Sequence, residues 1–196
     1  MTRSRSFTPE ERAAWAPLGA LLELLPRQLD AQLLRDDDLT HFDYFTLSML
    51  ALTPGRRLRM SALATMSHAT LPRMSHAVTR LEKRGYVRRE TAADDARATD
   101  VVLTYAGRRA VIRATPGHVS NVREHVLDAL EPEQLDQLRD IAHAILTRLD
   151  PDQRMWVAQA VTEDDATARG SIRAVRGHPV GDDGAARGVG RASTSL

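Results

Sequence analysis

Cysteine is absent from the 196 residues of this chain. Its absence excludes a disulfide framework, cysteine-ligated zinc, iron–sulfur clusters and catalysis by a thiol. Aromatic residues make up only 4% of the sequence, so leucine, alanine and valine must fill the core. No apolar run approaches the ~20 residues that a membrane span needs, and no apolar segment of a signal peptide follows the N-terminal arginines. We therefore expect a cytoplasmic protein with no membrane partner.

The patterns that mark a catalytic or metal site are also missing. His68 and His76 are eight residues apart and His118 and His125 seven apart, and neither pair has the spacing that forms a zinc site on one helical face. The sequence has no nucleophile elbow, phosphate loop or dinucleotide fingerprint. We expect no metal, no cofactor and no enzymatic activity. An enzyme that uses the acidic helices as its site is the alternative that stays open.

The net charge of +1 conceals an uneven distribution. Residues 54–110 contain 12 Lys and Arg against 5 Asp and Glu, a net charge of +7, while the rest of the chain carries −6. A basic segment within an acidic chain is typical of a module that binds a polyanion. A solvated basic face without a partner is the alternative that charge alone leaves open.

The spacing of apolar residues predicts a mainly helical chain. A first long helix is expected from about Pro9 to Arg35, because Thr8-Pro9 is typical of a helix start. Pro26 lies inside this helix and is expected to kink it. The other predicted helices are 40–52, 62–67 with Ser61 as its cap, 70–84, one from Thr104 that is interrupted near Pro116, and one from Glu131.

Two runs, 86–90 and 99–103, predict the strands of a β-hairpin with a polar tip at 92–98. A brief strand is expected at 57–60. The order of helix, tight turn, helix and hairpin predicts a winged helix-turn-helix.

Residues 1–7 are interpreted as a flexible arm. Residues 163–196 have no periodicity and are interpreted as a disordered tail.

Five short runs between residues 63 and 107 match motifs of a known protein family. In chain order they are Leu63-Ala64, Thr70-Leu71-Pro72-Arg73-Met74-Ser75, Arg80-Leu81-Glu82-Lys83-Arg84-Gly85-Tyr86-Val87, Asp94-Asp95-Ala96-Arg97 and Leu103-Thr104-Tyr105-Ala106-Gly107. With them, about residues 8–150 resemble the MarR (multiple-antibiotic-resistance regulator) family of bacterial transcription factors. The chain departs from the family at Ser67-His68, where Leu-Gly is common.

The resemblance implies a domain at 8–162 with two parts. The DNA-binding head would be 54–103, and 8–53 with 104–150 would form a mostly helical dimerisation region. Family members are usually repressors that bind double-stranded DNA as homodimers, with two recognition helices ~34 Å apart on a pseudo-palindromic operator. The resemblance also implies a small aromatic or phenolic effector that changes the separation of the two heads and so relieves DNA binding.

The predicted recognition helix, 70–84, has an apolar stripe of Met74, Ala77, Val78 and Leu81 that faces inward. An α-helix fits the major groove and reads base edges with its N-terminal residues. We therefore expect Arg73 to donate to guanine and Arg80 to contact the backbone. The full set of expected DNA contacts on this helix is Thr70, Pro72, Arg73, Ser75, His76 and Arg80.

The predicted wing, 86–103, ends in a tip that exposes Arg97, and the negative potential of a minor groove attracts a guanidinium there. Asp95 resembles the wing aspartate of the family, and we expect it to orient Arg97.

Trp15, His41 and Tyr44 lie near the predicted junction of the first two helices with the head, where they are candidates for an effector pocket. Simple packing is the alternative for Trp15 and Tyr44. A ligand-independent architectural DNA-binding protein is the alternative for the whole chain, and it would have weak sequence preference and no effector.

Overall fold

A computed structural model describes residues 6–155, and the predicted tail at 163–196 lies outside the described residues. Six α-helices and three short strands make up most of this range. They are α1 (Pro9–Asp37), α2 (His41–Leu52), β1 (Arg57–Arg59), α3 (Met60–Met66), α4 (Leu71–Lys83), β2 (Val87–Thr91), β3 (Thr99–Leu103), α5 (Tyr105–His125) and α6 (Pro132–Leu149). Short 3₁₀ turns at Pro54–Arg56 and Leu127–Ala129 precede β1 and α6. The fold is mainly α with a small antiparallel sheet, as the sequence predicts.

Four threonines set the starts of four helices. Thr8, Thr40, Thr70 and Thr104 each have extended backbone, and each hydroxyl accepts a bond from the amide three residues later. Such caps satisfy amides that the first turn of a helix leaves unpaired. They place the starts of α1, α2, α4 and α5 where the sequence predicts them.

Two predicted helix boundaries are wrong. α5 continues through Pro116 to His125 instead of being interrupted there. A proline inside a helix removes one hydrogen bond, but Ala114 is fully buried and Gly117 packs closely against Gln32 of α1, so tertiary packing holds this part of α5 helical. α3 starts at Met60, so Ser61 lies inside the helix rather than capping it.

The sheet has three strands in the order β1-β3-β2, all antiparallel. Val87 pairs with Leu103 and Thr91 with Thr99, which is the predicted hairpin. β1 pairs with the other edge of β3, with Leu58 opposite Val101. The sequence predicts the strand β1 but not the strand with which it pairs.

The core lies where the head helices meet α2 and the sheet. Its members with no exposed surface include Leu47, Leu50, Leu63, Met74 and Leu81. α1 and α6 contribute less to this core. In α1 the buried residues are Gln32 and Leu33, and no residue of α6 is buried within one chain. Apolar side chains left exposed on these two helices include Trp15, Leu21, Leu22, Leu24, Leu34, Leu135, Leu138, Ile141, Ile145 and Leu149. None of the helices in residues 6–155 is long and apolar enough to span a bilayer.

Candidate nucleic-acid interface

The turn between α3 and α4 sets the position of the candidate recognition helix. His68 has a φ of +48°, in the left-handed region that glycine adopts most easily. The amide of Ala69 donates to the carbonyl of Ala64 at 2.9 Å and closes the turn. His68 therefore replaces the usual glycine without preventing the tight connection that a helix-turn-helix needs.

α4 has one buried and one exposed face. Met74, Ala77, Val78 and Leu81 have no exposed surface, as predicted. Arg73, His76, Arg80 and Lys83 are exposed, as are Thr70 and Pro72 at the start of the helix, and Ser75 is half-buried. Within residues 6–155, neither His76 nor Lys83 takes part in a hydrogen bond or ion pair. The open face thus presents unpaired donors.

The first turn of α2 contacts both arginines that the sequence assigns to DNA. The guanidinium of Arg73 lies 4.5 Å from the centre of the Phe42 ring, a cation–π distance. Arg80 donates from Nη2 to Oδ1 of Asp43 at 2.8 Å, and the Asp43 carboxylate is almost fully buried. Sequence analysis missed these two partners, because nothing in the spacing of α2 shows which of its residues face α4.

Three of the candidate contacts on α4 converge on one hollow. Arg73, His76 and Arg80 line it together with Asp30 and with Thr40 and Phe42 at the start of α2, and its volume is about 440 Å³. The convergence of two guanidinium groups and an imidazole beside a helix start gives a concave surface rich in hydrogen-bond donors.

The wing and α4 are joined by Arg89 of β2. Its side chain donates to the Glu82 carboxylate at 2.8 Å, to the Ser75 carbonyl at 2.9 Å and to the Thr79 hydroxyl at 2.8 Å. The carbonyl of Ser75 therefore already has a partner within the head. These three bonds join the wing to α4.

Asp95 orders the tip of the wing through the backbone. Its Oδ1 accepts a bond from the amide of Arg97 at 2.9 Å. The guanidinium of Arg97 has no partner in the described part of the chain and is exposed. Arg59 of β1 also pairs with Asp94 of the tip. The loop is thereby anchored while the Arg97 side chain stays available.

Half of the basic side chains in residues 54–110 are paired with carboxylates. Arg57, Arg59, Arg80, Arg84, Arg88 and Arg89 all form ion pairs. Glu90 is one acceptor, and the bond from Arg88 lowers the pKa of its carboxyl. The basic side chains without a carboxylate partner in the described chain include Arg73, Lys83 and Arg97, which lie on α4 and the wing tip.

A second cavity, of about 290 Å³, lies between α1, α2 and the start of α4. Its lining comprises Pro26, Asp30, His41, Phe42, Phe45, Ser67, Arg73 and Met155. The amide of His41 donates to Asp30 at 2.6 Å, and burial lowers the pKa of the His41 imidazole. The cavity combines aromatic walls with a guanidinium.

Tyr44 lies next to His118 of α5, which sequence analysis did not assign to a site. Their rings are 4.7 Å apart, and His118 also lies 5.8 Å from His41. The Tyr44 hydroxyl is within 3.1 Å of Thr115. Burial, and secondarily His41, lowers the pKa of His118. His41, Tyr44 and His118 thus form one cluster.

Trp15 does not belong to this cluster. It is half exposed, stacks on Phe7 with ring centres 6.5 Å apart, and is not part of the cavity lining. On a helix that rises about 1.5 Å per residue, it lies about 16 Å along α1 from Pro26, which does line the cavity. Of the three candidates, His41 lines this cavity and Trp15 and Tyr44 do not, and the assignment of Trp15 to an effector pocket stays a prediction.

Comparison with known proteins adds to this geometry. Residues 37–98 match the model of the MarR family. A MarR family transcriptional regulator from Streptomyces coelicolor, solved in complex with DNA, is 41% identical. The match covers 77% of this chain and 94% of that one, with a TM-score of 0.71.

Two further solved structures are similar. AbsC, another MarR family transcriptional regulator from Streptomyces coelicolor, is 36% identical, with 76% of this chain and 99% of that one covered and a TM-score of 0.71. CouR from Rhodococcus jostii, solved with p-coumaroyl-CoA, shares the fold at 18% identity, with 71% and 95% covered and a TM-score of 0.59.

Proposed function

This chain belongs to the MarR family of transcriptional regulators, and we propose that it is a homodimeric repressor that binds a pseudo-palindromic operator and is released by a small effector. The proposed role is recognition of DNA, with no catalytic step and no cofactor. Because its partner is chromosomal DNA, we expect the protein to act in the cytoplasm.

In the proposed complex, the N-terminal half of α4 enters the major groove. Arg73 donates to guanine O6 and N7, and His76 contacts a base edge or a phosphate. Thr70, Pro72 and Ser75 lie beside them, and Arg80 contacts the phosphate backbone. The exposed guanidinium of Arg97, which has no partner among residues 6–155, reaches an adjoining minor groove. The rigid union of wing and helix through Arg89 supports simultaneous contacts in both grooves.

The dimer is proposed from the apolar surface of α1 and α6. Leu138, Ile141 and Ile145 follow one stripe of α6 and are 42%, 58% and 40% exposed within one chain. Burial of apolar surface stabilises by roughly 25 cal/mol per Å², so a second copy that covers these helices stabilises the assembly. A two-fold dimer then places two α4 helices about one turn of DNA apart.

The effector is proposed to bind in the cavity between α1, α2 and α4. A small aromatic or phenolic acid suits its lining, because Phe42 and Phe45 offer ring contacts and Arg73 offers a cation. Binding there would favour a separation of the heads that does not match successive grooves. The ligand must bind that state more tightly by several kcal/mol, about 5.5 kcal/mol for a complete switch.

The proposal rests mainly on the two faces of α4. Its apolar stripe is fully buried, and the face with Arg73, His76 and Lys83 is exposed. The test is selection of bound duplexes from a random pool by the purified full chain. We expect a motif with two-fold symmetry and half-sites about 10 base pairs apart. Weak preference without symmetry would instead favour the architectural DNA-binding protein.

A further inference from the structure

The chain turns back on itself directly after α6, and Asp150 causes the turn. Its carboxylate accepts bonds from the amides of Arg154 at 2.9 Å and Met155 at 2.7 Å. Asp150 is buried, with 5% of its surface exposed. The two backbone bonds lower the pKa of its carboxyl, so the group stays charged at neutral pH. Residues 150–155, named the strap below, are thus ordered by one buried carboxylate.

Both ends of the strap lie near the connection between α3 and α4. Oδ1 of Asp150 lies 3.6 Å from Nε2 of His68, the residue in the left-handed conformation. Met155, at the other end, shares the lining of the 290 Å³ cavity with Ser67 and Arg73. The strap therefore connects the end of α6 to the turn that sets the start of α4.

His68 gives the turn a contact that glycine lacks. A left-handed turn position favours glycine sterically, and histidine is one of the few other residues that adopts it. Its imidazole is half exposed and lies within ion-pair distance of the Asp150 carboxylate. Asp150 is the charged group that forms an ion pair with this ring in the described residues.

We infer that the strap holds the α3–α4 turn, and that Asp150 is a positioning residue for DNA recognition that acts through His68. The effect on DNA binding rests on the function proposed above, whereas the effect on the turn does not. Through the strap, a change at the end of α6 reaches the start of α4 without passing through the core of the head.

The first test measures hydrogen exchange of the amides of residues 67–70 in the full chain without DNA. Asp150→Asn removes the charge that faces His68. We expect these amides to exchange about two- to fivefold faster, the range that a partly exposed ion pair supports. Asp152→Asn is the matched control, because Asp152 is exposed and its ion pair within the described residues is with Arg154, at 2.6 Å. Unchanged exchange in Asp150→Asn would overturn the inference.

The second test is a double-mutant cycle on DNA affinity. His68→Asn keeps a residue that tolerates the left-handed turn and leaves the strap's own hydrogen bonds in place, so it also serves if Asp150→Asn fails to fold. Each single variant should bind the selected duplex about two- to fivefold more weakly, and the double variant no more weakly than the worse single one.

Multiplicative losses in the double variant would contradict a pair in which Asp150 acts through His68. If the wild-type chain selects no duplex, the proposed function fails, and the exchange experiment still decides whether the strap holds the turn.

Discussion

The guanidinium of Arg80 on α4 donates to the buried carboxylate of Asp43 on α2 at 2.8 Å. Arg80 is therefore both a candidate phosphate contact and the ion-pair partner of the buried Asp43 carboxylate. Asp43 also accepts a bond from the Thr40 amide, so one carboxylate caps α2 and orients a side chain of α4. A substitution at either residue changes stability and DNA binding together, and the two effects must be measured separately.

Arg80→Ala should weaken binding to all DNA sequences about equally and should reduce the salt dependence by roughly one phosphate contact. It should also lower the free energy of unfolding by about 1–3 kcal/mol, because Asp43 loses its charged partner while buried. Denaturant unfolding and salt titration of the affinity check the two effects. Lys83→Ala is the control for stability, since Lys83 is exposed and unpaired in the described chain. An unchanged salt slope would remove Arg80 from the backbone contacts.

Arg73→Ala should lose about 1–3 kcal/mol on the selected duplex and relax the preference at one base pair of each half-site. The measurement is competition binding against duplexes with single base-pair changes. Phe42→Leu serves as the comparison, because it removes the ring 4.5 Å from the guanidinium and leaves the arginine in place. An equal loss on a scrambled duplex would show that Arg73 does not read a base.

Arg97→Ala should weaken binding and remove any preference for A·T-rich flanks, whose narrow minor groove attracts a guanidinium. Asp95→Ala should produce a smaller loss in the same direction, because it frees the Arg97 amide and loosens the tip. Affinities for duplexes with A·T and G·C flanks check both variants. Retained flank preference in Arg97→Ala would place the wing tip away from the minor groove.

The protein should lose stability as the pH falls from 7.5 to 5.5. Burial lowers the pKa values of His41 and His118 in the folded state, so the unfolded chain takes up protons first, beginning near the unperturbed value of about 6.5. The carboxylates remain ionised in this window. His118→Gln should flatten the decline measured by denaturant unfolding, whereas His143→Gln on exposed α6 should not. Equal slopes in the two variants would contradict the burial of His118 as the cause.

The sequence predicts those features of residues 54–103 that depend on interactions between neighbouring residues. The threonine caps, the stripe on α4 and Gly85 with φ +72° after that helix follow from neighbouring residues alone. The glycine that ends the run Leu103-Thr104-Tyr105-Ala106-Gly107 has a reason that only the fold shows. A Cβ at Gly107 would lie 2.1 Å from the carbonyl oxygen of Tyr86, so only glycine fits there.

The missed features all depend on contacts between distant elements. Helix α5 passes Pro116 because α1 packs against it, and the partners of Arg73 and Arg80 lie some 30 to 40 residues earlier on α2. Trp15 lies apart from His41 and Tyr44, because nearness to a predicted junction does not determine which face of α1 meets it. Helical periodicity shows which face of a helix is buried, but it does not show which side chains of other elements pack against that face.

Methylation protection of guanine N7 on the selected duplex reports whether α4 occupies the major groove, because that atom lies in the groove where α4 is proposed to bind. We expect two symmetric protected positions about 10 base pairs apart, and loss of both in Arg73→Ala. Protection at only one position, or protection that Arg73→Ala leaves intact, would contradict this placement of α4.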